Sequence, residues 1–491
     1  MRILSVMVIT VITFYIALGC KQKASPPNVL FIAIDDLRPE LGCYGNPIAQ
    51  TPTLDNLAKE GVIFQNHFVQ VPTCGASRYS LLTGMRPSKP VHLSNKAIEV
   101  EISDKSENAF PETFIHHLKR NGYYTVGIGK ISHSAEGLVY GYHENPSNKR
   151  ELPHSWNELV FDSGKWGTGW NSFFGYSNGQ NRQSLEKKVK PYEAGDVDDE
   201  GYVDGLTTNL TIAKLRELKE RKEPFFLGVG FFKPHLPFNA PKRYWDLYKR
   251  DEIPLSPNAS IPENINTKSL HDSDEFNQYK LTDEIASLSK PVSDDYAKKI
   301  KHAYLAGVSY IDAQVGKVLN ELRSLGLDKN TIVVVWGDHG WHLGDQRLWG
   351  KHTLFDNALK SVLIIKTPRN SLNKKSINSI IETVDIYPSI LELCEIELPY
   401  RTDGESFVDL LKDTNSKTHN VAYSYFKNGI SLRTDKYRLT QYFREAEPTL
   451  ELYDHENDPN ETKNIAHSKP ELVKELMPLM TLGDTGLYQR N

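Results

Sequence analysis

The sequence predicts an α/β fold: a large, mostly parallel central sheet flanked by helices, followed by a smaller C-terminal antiparallel sheet with one helix. Two observations predict it. From residue 28 onwards, short apolar runs alternate with amphipathic segments, the pattern of a parallel sheet covered on both faces. After about residue 410, short alternating segments are separated by polar turns, which indicates an antiparallel sheet. The chain of 491 residues, 39% of them hydrophobic, is long enough for two or three domains.

The elements of the first region follow from apolar runs and helical spacing. Strands are predicted where a short apolar run is bounded by polar residues, at 28–34, 123–129, 224–232, 331–336 and 361–366. Helices are predicted from amphipathic spacing, at 53–61, 77–83, 111–122, 204–222 and 384–394. Residues 294–326 hold one long helix or two. Residues 135–200 and 250–292 have little periodicity and are predicted to be long loops.

The C-terminal region is predicted to form a subdomain of its own, over residues 410–491, after a catalytic domain over 28–409. Its strands are expected in four short segments, at 421–426, 429–435, 437–443 and 449–454. Residues 469–480 have helical spacing and would pack on this sheet.

The N-terminus has the composition of an export signal. Arg2 is followed by an apolar stretch that runs to Gly19, and Cys20 comes next. Cys20 after "ALG" resembles the lipobox of bacterial lipoproteins, which implies a signal peptide over 1–19, a lipid on Cys20 and a polar tether over 20–27. The alternatives are an ordinary signal peptide and a single membrane anchor. All three place the folded part outside the cytoplasm, and we expect a lipoprotein of the bacterial cell envelope, in the periplasm or at the outer membrane.

Charge and cysteine content restrict the function further. Lys and Arg number 58 against 62 Asp and Glu, a net charge of −4, which argues against a nucleic-acid partner. If Cys20 carries a lipid, three cysteines remain, so at least one is free, modified or bonded between chains. Cys43 and Cys394 either pair or stay as two buried thiols.

One cysteine lies in an unusual context, the stretch "VPTCGASRYSLLTG" at 71–84. Cys74 immediately precedes a predicted helix, whose unpaired N–H groups and dipole favour a nearby anion. Arg78 adds a fixed cation with a fork suited to oxyanions. Cys74 is therefore predicted to face a negatively charged ligand; the alternative is a buried structural thiol.

Charged and imidazole side chains follow four of the predicted strands. In open α/β sheets the ligand site lies beyond the carboxyl ends of the strands. The residues found there are Asp35 and Asp36, then Lys130 and His133, then Lys233 and His235, then Asp338 and His339. Three carboxylates suit calcium or magnesium, whereas His339 fits zinc better and alone leaves the metal open. Lys130 and Lys351 could bind an anion, and the remaining candidates, His133 and His235, could transfer protons near neutral pH.

These residues, in this order, resemble the formylglycine-dependent (type I) sulfatases of the alkaline phosphatase superfamily. "CGASRYSLLTG" is similar to the sulfatase signature Cys-x-Pro/Ala-Ser-Arg followed by Leu-Thr-Gly, with Ala76 where many members have Pro. The similarity runs from about Asn28 to "LELYDHENDPNETKNIA" near the C-terminus. Segments such as "GKISH", "FFKPHLPF" and "DHGWHLGD" resemble the iduronate-2-sulfatases and bacterial polysaccharide sulfatases.

The resemblance implies a catalytic role for each of these residues. A maturation enzyme would oxidise Cys74 to formylglycine (3-oxoalanine), and Arg78 would stabilise its ionised hydrate. Lys130 and Lys351 would neutralise sulfate oxygens, His235 would protonate the leaving sugar oxygen, and His133 would deprotonate the second hydroxyl. One metal ion would be held by Asp35, Asp36, Asp338, His339 and the modified Cys74. We expect Ca²⁺ rather than zinc, because oxygen ligands outnumber nitrogen.

The expected function is therefore hydrolysis of sulfate esters on a carbohydrate. The resemblance favours a uronate-containing polysaccharide or its oligosaccharides, and long loops around the site favour exo action on a terminal residue. Two alternatives remain: a phosphonate or phosphate ester hydrolase of the same superfamily, and a non-catalytic glycan-binding surface lipoprotein.

Overall fold

The computed structural model describes residues 25–368, 375–412 and 420–488. The predicted signal peptide, Cys20 and the first part of the tether lie outside the described residues. Among the described residues, no helix is both long enough and apolar enough to cross a bilayer.

The strands and helices are as follows. The strands are β1 Asn28–Ile34, β2 Val62–Phe68, β3 Tyr124–Gly129, β4 Glu158–Val160, β5 Tyr192–Gly195, β6 Phe225–Phe231, β7 Phe238–Pro241, β8 Thr331–Gly337, β9 His342–Leu343, β10 Trp349–Gly350, β11 Lys360–Ser361, β12 Leu363–Lys366, β13 Lys375–Glu382, β14 Ala422–Phe426, β15 Gly429–Arg433, β16 Tyr437–Tyr442 and β17 Thr449–Asp454. The α-helices are α1 Pro52–Glu60, α2 Cys74–Thr83, α3 Phe114–Arg120, α4 Gly169–Phe173, α5 Val203–Lys219, α6 Lys242–Trp245, α7 Asp294–Ser324, α8 Asp356–Leu359, α9 Ile386–Leu393, α10 Val408–Lys412 and α11 Pro470–Leu482.

The central sheet of the described chain confirms the predicted α/β class. Its strand order is β11-β2-β12-β8-β1-β6-β3-β4, and β13 also pairs with β2. Strands β8, β1, β6, β3 and β4 run parallel, whereas β12 is antiparallel to both β8 and β2. The predicted strand 361–366 is divided at Val362 into β11 and β12, so the sheet is mixed at this edge.

The sheet is buried on both faces. Alternate residues of β1 point to opposite layers: Leu30, Ile32 and Ile34 pack with α1, α5 and α7, while Val29 and Phe31 pack with α2, α3, α9 and α10. This explains why β1 reads as a continuous apolar run rather than an alternating one. Burial of each such side chain contributes about 1.5–3 kcal/mol relative to exposure.

Helix α7 settles the question of one helix or two, since it is continuous from Asp294 to Ser324. Ser293 caps its first turn by accepting a hydrogen bond from the Tyr296 amide. Asp312, in the middle of α7, accepts hydrogen bonds from the amides of Thr53 and Leu54 in the first turn of α1. The acid therefore satisfies two unpaired donors of a neighbouring helix.

Three strands of the central sheet are missing from the sequence prediction, β2, β4 and β13, and β4 lies in the segment 135–200 that is predicted as a loop. Gln65, Asn66 and His67 interrupt the apolar run of β2. His67 is nevertheless fully buried, because its ring nitrogens meet the Ser361 carbonyl and the Thr383 hydroxyl at 3.3 and 2.9 Å. Polar side chains can be buried in a strand when neighbouring elements supply their hydrogen bonds. Such a strand lacks the continuous apolar run by which the other strands were predicted.

The C-terminal antiparallel sheet, β14-β15-β16-β17, forms as predicted, and α11 packs on it. Val473, Leu476 and Met480 of α11 are buried among side chains of the sheet. Helix α10, by contrast, contributes Leu410 and Leu411 to the core beneath the central sheet. The boundary between 409 and 410 stays a prediction.

Candidate active site

The predicted site residues meet at the carboxyl edge of four adjacent parallel strands, β8, β1, β6 and β3. Each strand ends in residues of the predicted set: Asp338 and His339 after β8, Asp35 and Asp36 after β1, His235 shortly after β6, and Lys130 and His133 after β3. Helix α2 delivers Cys74 and Arg78 from the face of the sheet, and a loop after β10 delivers Lys351. The structure thus brings all of the predicted site residues together.

Three carboxylates form the centre of the site. Oxygens of Asp35, Asp36 and Asp338 lie within 4.8 Å of one another, and all three residues are fully buried. Arg78, also fully buried, donates to Asp338 Oδ2 at 3.1 Å from Nε and to Asp35 Oδ1 at 3.3 Å from Nη2. One guanidinium therefore compensates part of the negative charge of three buried acids.

The backbone at Asp36 is strained. Its φ is +58°, a left-handed conformation that costs a non-glycine residue on the order of 1 kcal/mol or more. Two hydrogen bonds hold it: the Asp36 amide donates to Asp338 Oδ1 at 2.9 Å, and the Asp36 carbonyl accepts from the Tyr304 hydroxyl at 2.7 Å. In this left-handed conformation the Asp36 carboxylate lies close to those of Asp35 and Asp338.

The protonation energetics of the three acids favour the binding of a cation. Burial raises the pKa of Asp36 well above its ordinary value, more than Lys351 lowers it, and Asp36 Oδ2 has no hydrogen-bond partner. Burial and the Asp35 charge also raise the pKa of Asp338. Burial opposes ionisation of Asp35 as well, but Lys130, His235 and Arg78 outweigh it and hold that pKa well below its usual range. Crowded buried carboxylates with an unpaired oxygen fit a hard divalent ion.

Cys74 is the first residue of α2 and is 3% exposed. Its Sγ lies 3.2 Å from Lys351 Nζ and 3.3 Å from His339 Nε2. Burial and the charge of Asp35 raise the pKa of the thiol to about 12. An unmodified Cys74 is therefore protonated at neutral pH and is a poor nucleophile, although it lies beside the three acids.

A glycine allows α2 to begin at this point. A Cβ at Gly75 would lie 2.6 Å from the Cα of Asn95, and the Gly75 amide donates to Asn95 Oδ1 at 2.9 Å. The segment at Asn95 thus packs directly against the start of the helix, which fixes the position of Cys74.

The two lysines are buried and paired with acids. Lys130 donates to Asp35 Oδ2, and Lys351 donates to Asp36 Oδ1 at 2.8 Å. Their two ammonium groups therefore lie beside Cys74 at the bottom of the pocket. An anion bound there can contact both.

The two predicted histidines face the same pocket as Cys74. His235 donates from Nδ1 to the Leu236 carbonyl at 2.6 Å, and its Nε2 lies 3.7 Å from Asp36 Oδ2. His133 Nδ1 is buried without a hydrogen-bond partner. Burial and Lys351 lower the pKa of His235 to about 4, and burial and Lys130 lower that of His133 well below its ordinary value. Both rings can exchange protons with a ligand in the pocket.

The pocket above Cys74 has a volume of about 280 Å³. Side chains that the sequence analysis did not single out complete its wall, among them Arg182, Trp170, Phe174 and Glu275. They come from the two segments predicted as long loops, in which no periodicity marks any single residue. Glu275 contacts His235 Nε2 at 3.3 Å and Lys351 Nζ at 3.5 Å.

Lys233 and the other two cysteines lie outside this arrangement. Lys233 donates to the carbonyls of His235 and Pro237 at 2.9 and 2.7 Å, so it fixes the loop that carries His235. Cys43 and Cys394 are both unpaired, which answers the question that the sequence left open.

Comparison with known proteins identifies the family. A model of the family described as sulfatase matches residues 27–396, and a model described as N-sulphoglucosamine sulphohydrolase, C-terminal, matches residues 337–481. The chain belongs to the sulfatase family. It is therefore an enzyme that hydrolyses sulfate esters. Sulfatases of this family generally use a formylglycine and a divalent metal ion, and the described residues include groups that could hold such an ion.

Two curated relatives and two solved structures illustrate the similarity. A sulfatase of Formosa agariphila is 31% identical over 93% of this chain and 87% of its own length; human iduronate 2-sulfatase is 30% identical over 81% and 75%. BT4656, solved with its substrate D-glucosamine-2-N,6-O-disulfate, has a TM-score of 0.69 at 20% identity, covering 93% of this chain and 97% of its own. The phosphonate monoester hydrolase of Agrobacterium radiobacter has a TM-score of 0.73 at 20% identity, covering 93% and 95%. At this identity the two structures show the shared fold alone.

Proposed function

We propose that this sulfatase removes sulfate from a terminal sugar of a uronate-containing oligosaccharide, using a formylglycine made from Cys74 and one bound Ca²⁺. The observation that carries the proposal is the position of Cys74, whose Sγ lies beside Lys351, His339 and three buried carboxylates at the bottom of the pocket. Its raised pKa supports a modified residue rather than a thiolate as the nucleophile. The similarity to iduronate 2-sulfatase supports the uronate, and the small pocket supports exo action.

The residues of the site fit a formylglycine at position 74 and a divalent cation. A hydrated formylglycine and a divalent cation would supply an ionised hydroxyl and a positive charge beside the sulfate. Asp35, Asp36, Asp338 and His339 would hold the cation together with the oxygen at position 74, and the unpaired Oδ2 of Asp36 would gain a partner. Three carboxylates among the ligands favour Ca²⁺ over zinc.

The cationic side chains stabilise charge on the sulfate. Lys130 and Lys351 stand at the bottom of the pocket and bind the non-bridging sulfate oxygens, whose charge shifts as the ester bond breaks. Arg78 lies below them, fixed by Asp35 and Asp338, and its charge favours an ionised hydroxyl at position 74. Because all three cations are buried, water screens their charges weakly.

The two histidines divide the proton transfers. His235 gives the proton from Nε2 to the leaving sugar oxygen in its doubly protonated form, while its Nδ1 stays on the Leu236 carbonyl and fixes the ring. Burial disfavours this form in the free pocket, whereas Glu275, 3.3 Å from Nε2, and the negative charge of a bound sulfate ester favour it. His133 takes the proton of the second hydroxyl when sulfate is released, and its Nδ1 has no hydrogen-bond partner among the described residues.

Mass spectrometry of the peptide that contains Cys74 tests the modification. We expect an aldehyde that reacts with a hydrazide probe in active enzyme purified with its maturation enzyme. Full activity from a homogeneous, unmodified thiol would contradict the proposal.

Chelation tests the metal. We expect EGTA to remove activity and Ca²⁺ to restore it, because the carboxylates repel one another without a cation. Restoration by zinc but not by Ca²⁺ would contradict the choice of metal.

The choice of ester is tested by parallel assays on 4-nitrophenyl sulfate and 4-nitrophenyl phosphate. The similar fold of a phosphonate monoester hydrolase makes this the second candidate activity. We expect the sulfate to be the better substrate, and a preference for the phosphate would favour the alternative.

We propose further that the protein is exported and carries a lipid on Cys20. The apolar stretch to Gly19 and the "ALGC" sequence support this placement. Labelling with a lipid precursor in the native host should mark the wild type but not Cys20→Ala. Cys43→Ala, in the folded part, is the matched control and should label normally.

A further inference from the structure

Arg182 stands in the wall of the pocket without an acidic partner. Its guanidinium carbon lies 3.6 Å from the ring centre of Phe174 and 5.3 Å from that of Tyr279, and the residue is 5% exposed. Its Nε donates to Gln183 Oε1 at 3.1 Å. Within the described ranges, no carboxylate lies at ion-pair distance from this arginine. A buried guanidinium without an anion is costly, so the protein gains little stability from placing it here.

The other buried cations of the pocket are compensated. Lys130 is paired with Asp35, and Lys351 is paired with Asp36 and approaches Glu275 at 3.5 Å. Of the acids that line the pocket, Glu275 contacts Lys351 and His235 through Oε1, while its buried Oε2 has no hydrogen-bond partner, and Asp274 is exposed. Unlike these two lysines, Arg182 has no acidic partner among the described residues, so its charge can be compensated by a ligand. Its planar guanidinium suits a carboxylate or a sulfate.

The aromatic wall sets the distance between Arg182 and the sulfate site. Lys130 Nζ lies 4.6 Å from the ring centre of Phe173, the centres of Phe173 and Phe174 are 4.6 Å apart, and Arg182 stacks on Phe174. Two adjacent rings therefore separate the cation at the bottom of the pocket from the cation at its wall. A pocket of about 280 Å³ lies below the usual range for drug-sized ligands, so one sugar unit fills it.

We propose that Arg182 binds a second anionic group on the same sugar, a carboxylate or a second sulfate, while Lys130 and Lys351 hold the sulfate that is removed. Arg182 is then a specificity-determining residue, and the inference rests on the proposed action on a sugar. The fixed guanidinium selects sugars that carry two anionic groups, since a sugar whose sole anionic group is the sulfate that is removed leaves the guanidinium buried and unpaired.

The test uses three monosaccharides that differ in one group: a sulfated hexuronate, the same sugar with its carboxyl reduced to an alcohol, and that alcohol carrying a second sulfate. The ratio of kcat/KM between each sugar with two anionic groups and the alcohol with one sulfate is measured for wild type, Arg182→Gln and Arg182→Lys. We expect Arg182→Gln to lower the ratio roughly 10- to 100-fold, mainly through KM, as for loss of a charged hydrogen bond. Arg182→Lys should recover part of it, and the preferred anionic sugar identifies carboxylate or sulfate.

The matched control is Arg221→Gln, an exposed arginine that lies 3.3 Å from the ring centre of Tyr124, near the opposite end of β6. This control should leave the ratio and the basal activity unchanged. Unfolding temperatures of all variants show whether each one is folded. An unchanged ratio in folded Arg182→Gln, or an equal loss on all three sugars, would overturn the inference.

Calorimetry with two ligands that lack the sulfate to be removed, the unsulfated hexuronate and the hexose that carries only the second sulfate, separates this inference from the proposed function. Weaker binding of either ligand to Arg182→Gln than to wild type supports the role of Arg182, even if wild type releases sulfate only from aryl sulfates. Equal binding of both ligands to the two proteins overturns it. A wild type that releases no sulfate from any of the three sugars contradicts the proposed substrate instead.

Discussion

Among the described residues, two buried charge clusters that contain histidine invite comparison, and one of them has the properties of a catalytic centre. The first is the active site at the edge of the central sheet. The second, here called the C-terminal ion cluster, joins the loop at α8 to the C-terminal sheet and consists of Asp356, Arg433, Arg438, His455 and Glu461. Both clusters contain acids and histidine close enough to hold a metal.

The difference lies in how the acids are compensated. Arg438 pairs with Asp356 and with Glu461, the latter at 2.6 Å, and Arg433 pairs with Asp356 at 3.2 Å. Burial opposes ionisation of Glu461, but Arg438 and His455 outweigh it and lower its pKa. The pKa of Asp36 is shifted in the opposite direction, and one of its oxygens has no partner.

The comparison teaches that burial of charge does not by itself mark a functional site. An acid whose charge is fully compensated, as that of Glu461 is by Arg438 and His455, is a structural link, and removal of either partner leaves an unpaired charge. An acid such as Asp36, which is buried and keeps one oxygen without a partner next to a pocket, can bind a ligand. The two clusters should therefore respond in opposite ways to mutation, one through activity and the other through stability.

Cys74→Ala gives the largest expected effect. Sulfatase activity should fall on the order of 10,000-fold or more, because the nucleophile is removed, while the unfolding temperature stays near that of wild type. Activity on 4-nitrophenyl sulfate and a thermal melt measure the two. Cys394→Ala, a buried thiol far from the pocket, is the control and should keep its activity. Substantial turnover by Cys74→Ala would show that the first cluster does not use this residue.

His235→Ala should have a smaller effect that depends on the leaving group. We expect kcat on a sugar sulfate to fall on the order of 100- to 10,000-fold, and much less on 4-nitrophenyl sulfate, whose leaving oxygen needs no proton. His302→Ala is the control: His302 is a buried histidine that meets the Trp245 carbonyl at 2.8 Å, away from the pocket. Equal losses on both substrates would refute general acid catalysis by His235.

The sequence predicts where several residues of the candidate site meet, because they follow recognisable strands. Asp35 and Asp338 come directly after apolar runs, so parallel pairing of β1 and β8 is enough to bring them together. Arg182 and Glu275 could not be predicted in this way, because they lie in aperiodic segments whose paths depend on tertiary packing. Strand β2 was missed for a related reason, since the partners of buried His67 come from residues 361 and 383.

Arg438→Met tests the C-terminal ion cluster. Glu461 would lose its guanidinium while staying buried, so we expect a loss of about 3–5 kcal/mol in the free energy of unfolding. Activity measured well below the unfolding temperature should stay near that of wild type. Arg323→Met is the control, because its pair with Glu60 is partly exposed and worth about 0–1 kcal/mol. A loss of activity in folded Arg438→Met would show that the ion cluster also positions Lys351, through the short segment that leads to Asp356.

Glu451→Gln is expected to have the smallest effect, and its sign depends on pH. Glu451 is 3% exposed, accepts hydrogen bonds from Ser269 and Tyr453, and burial raises its pKa to about 7. In the unfolded chain the pKa of a glutamate is about 4.3. Between about pH 4.3 and about 7 the folded state holds a proton that the unfolded state has lost, so stability falls as pH rises through this window and levels off above about 7.

The amide of Glu451→Gln cannot ionise and keeps an acceptor for Ser269. Glu451→Gln should therefore have a higher free energy of unfolding than wild type at pH 8, by up to about 3 kcal/mol. This gain should vanish near pH 4.5. The exposed Glu456→Gln is the control and should show no such dependence. A gain that does not change with pH would show that Glu451 stays ionised in the folded protein, compensated in the manner of Glu461.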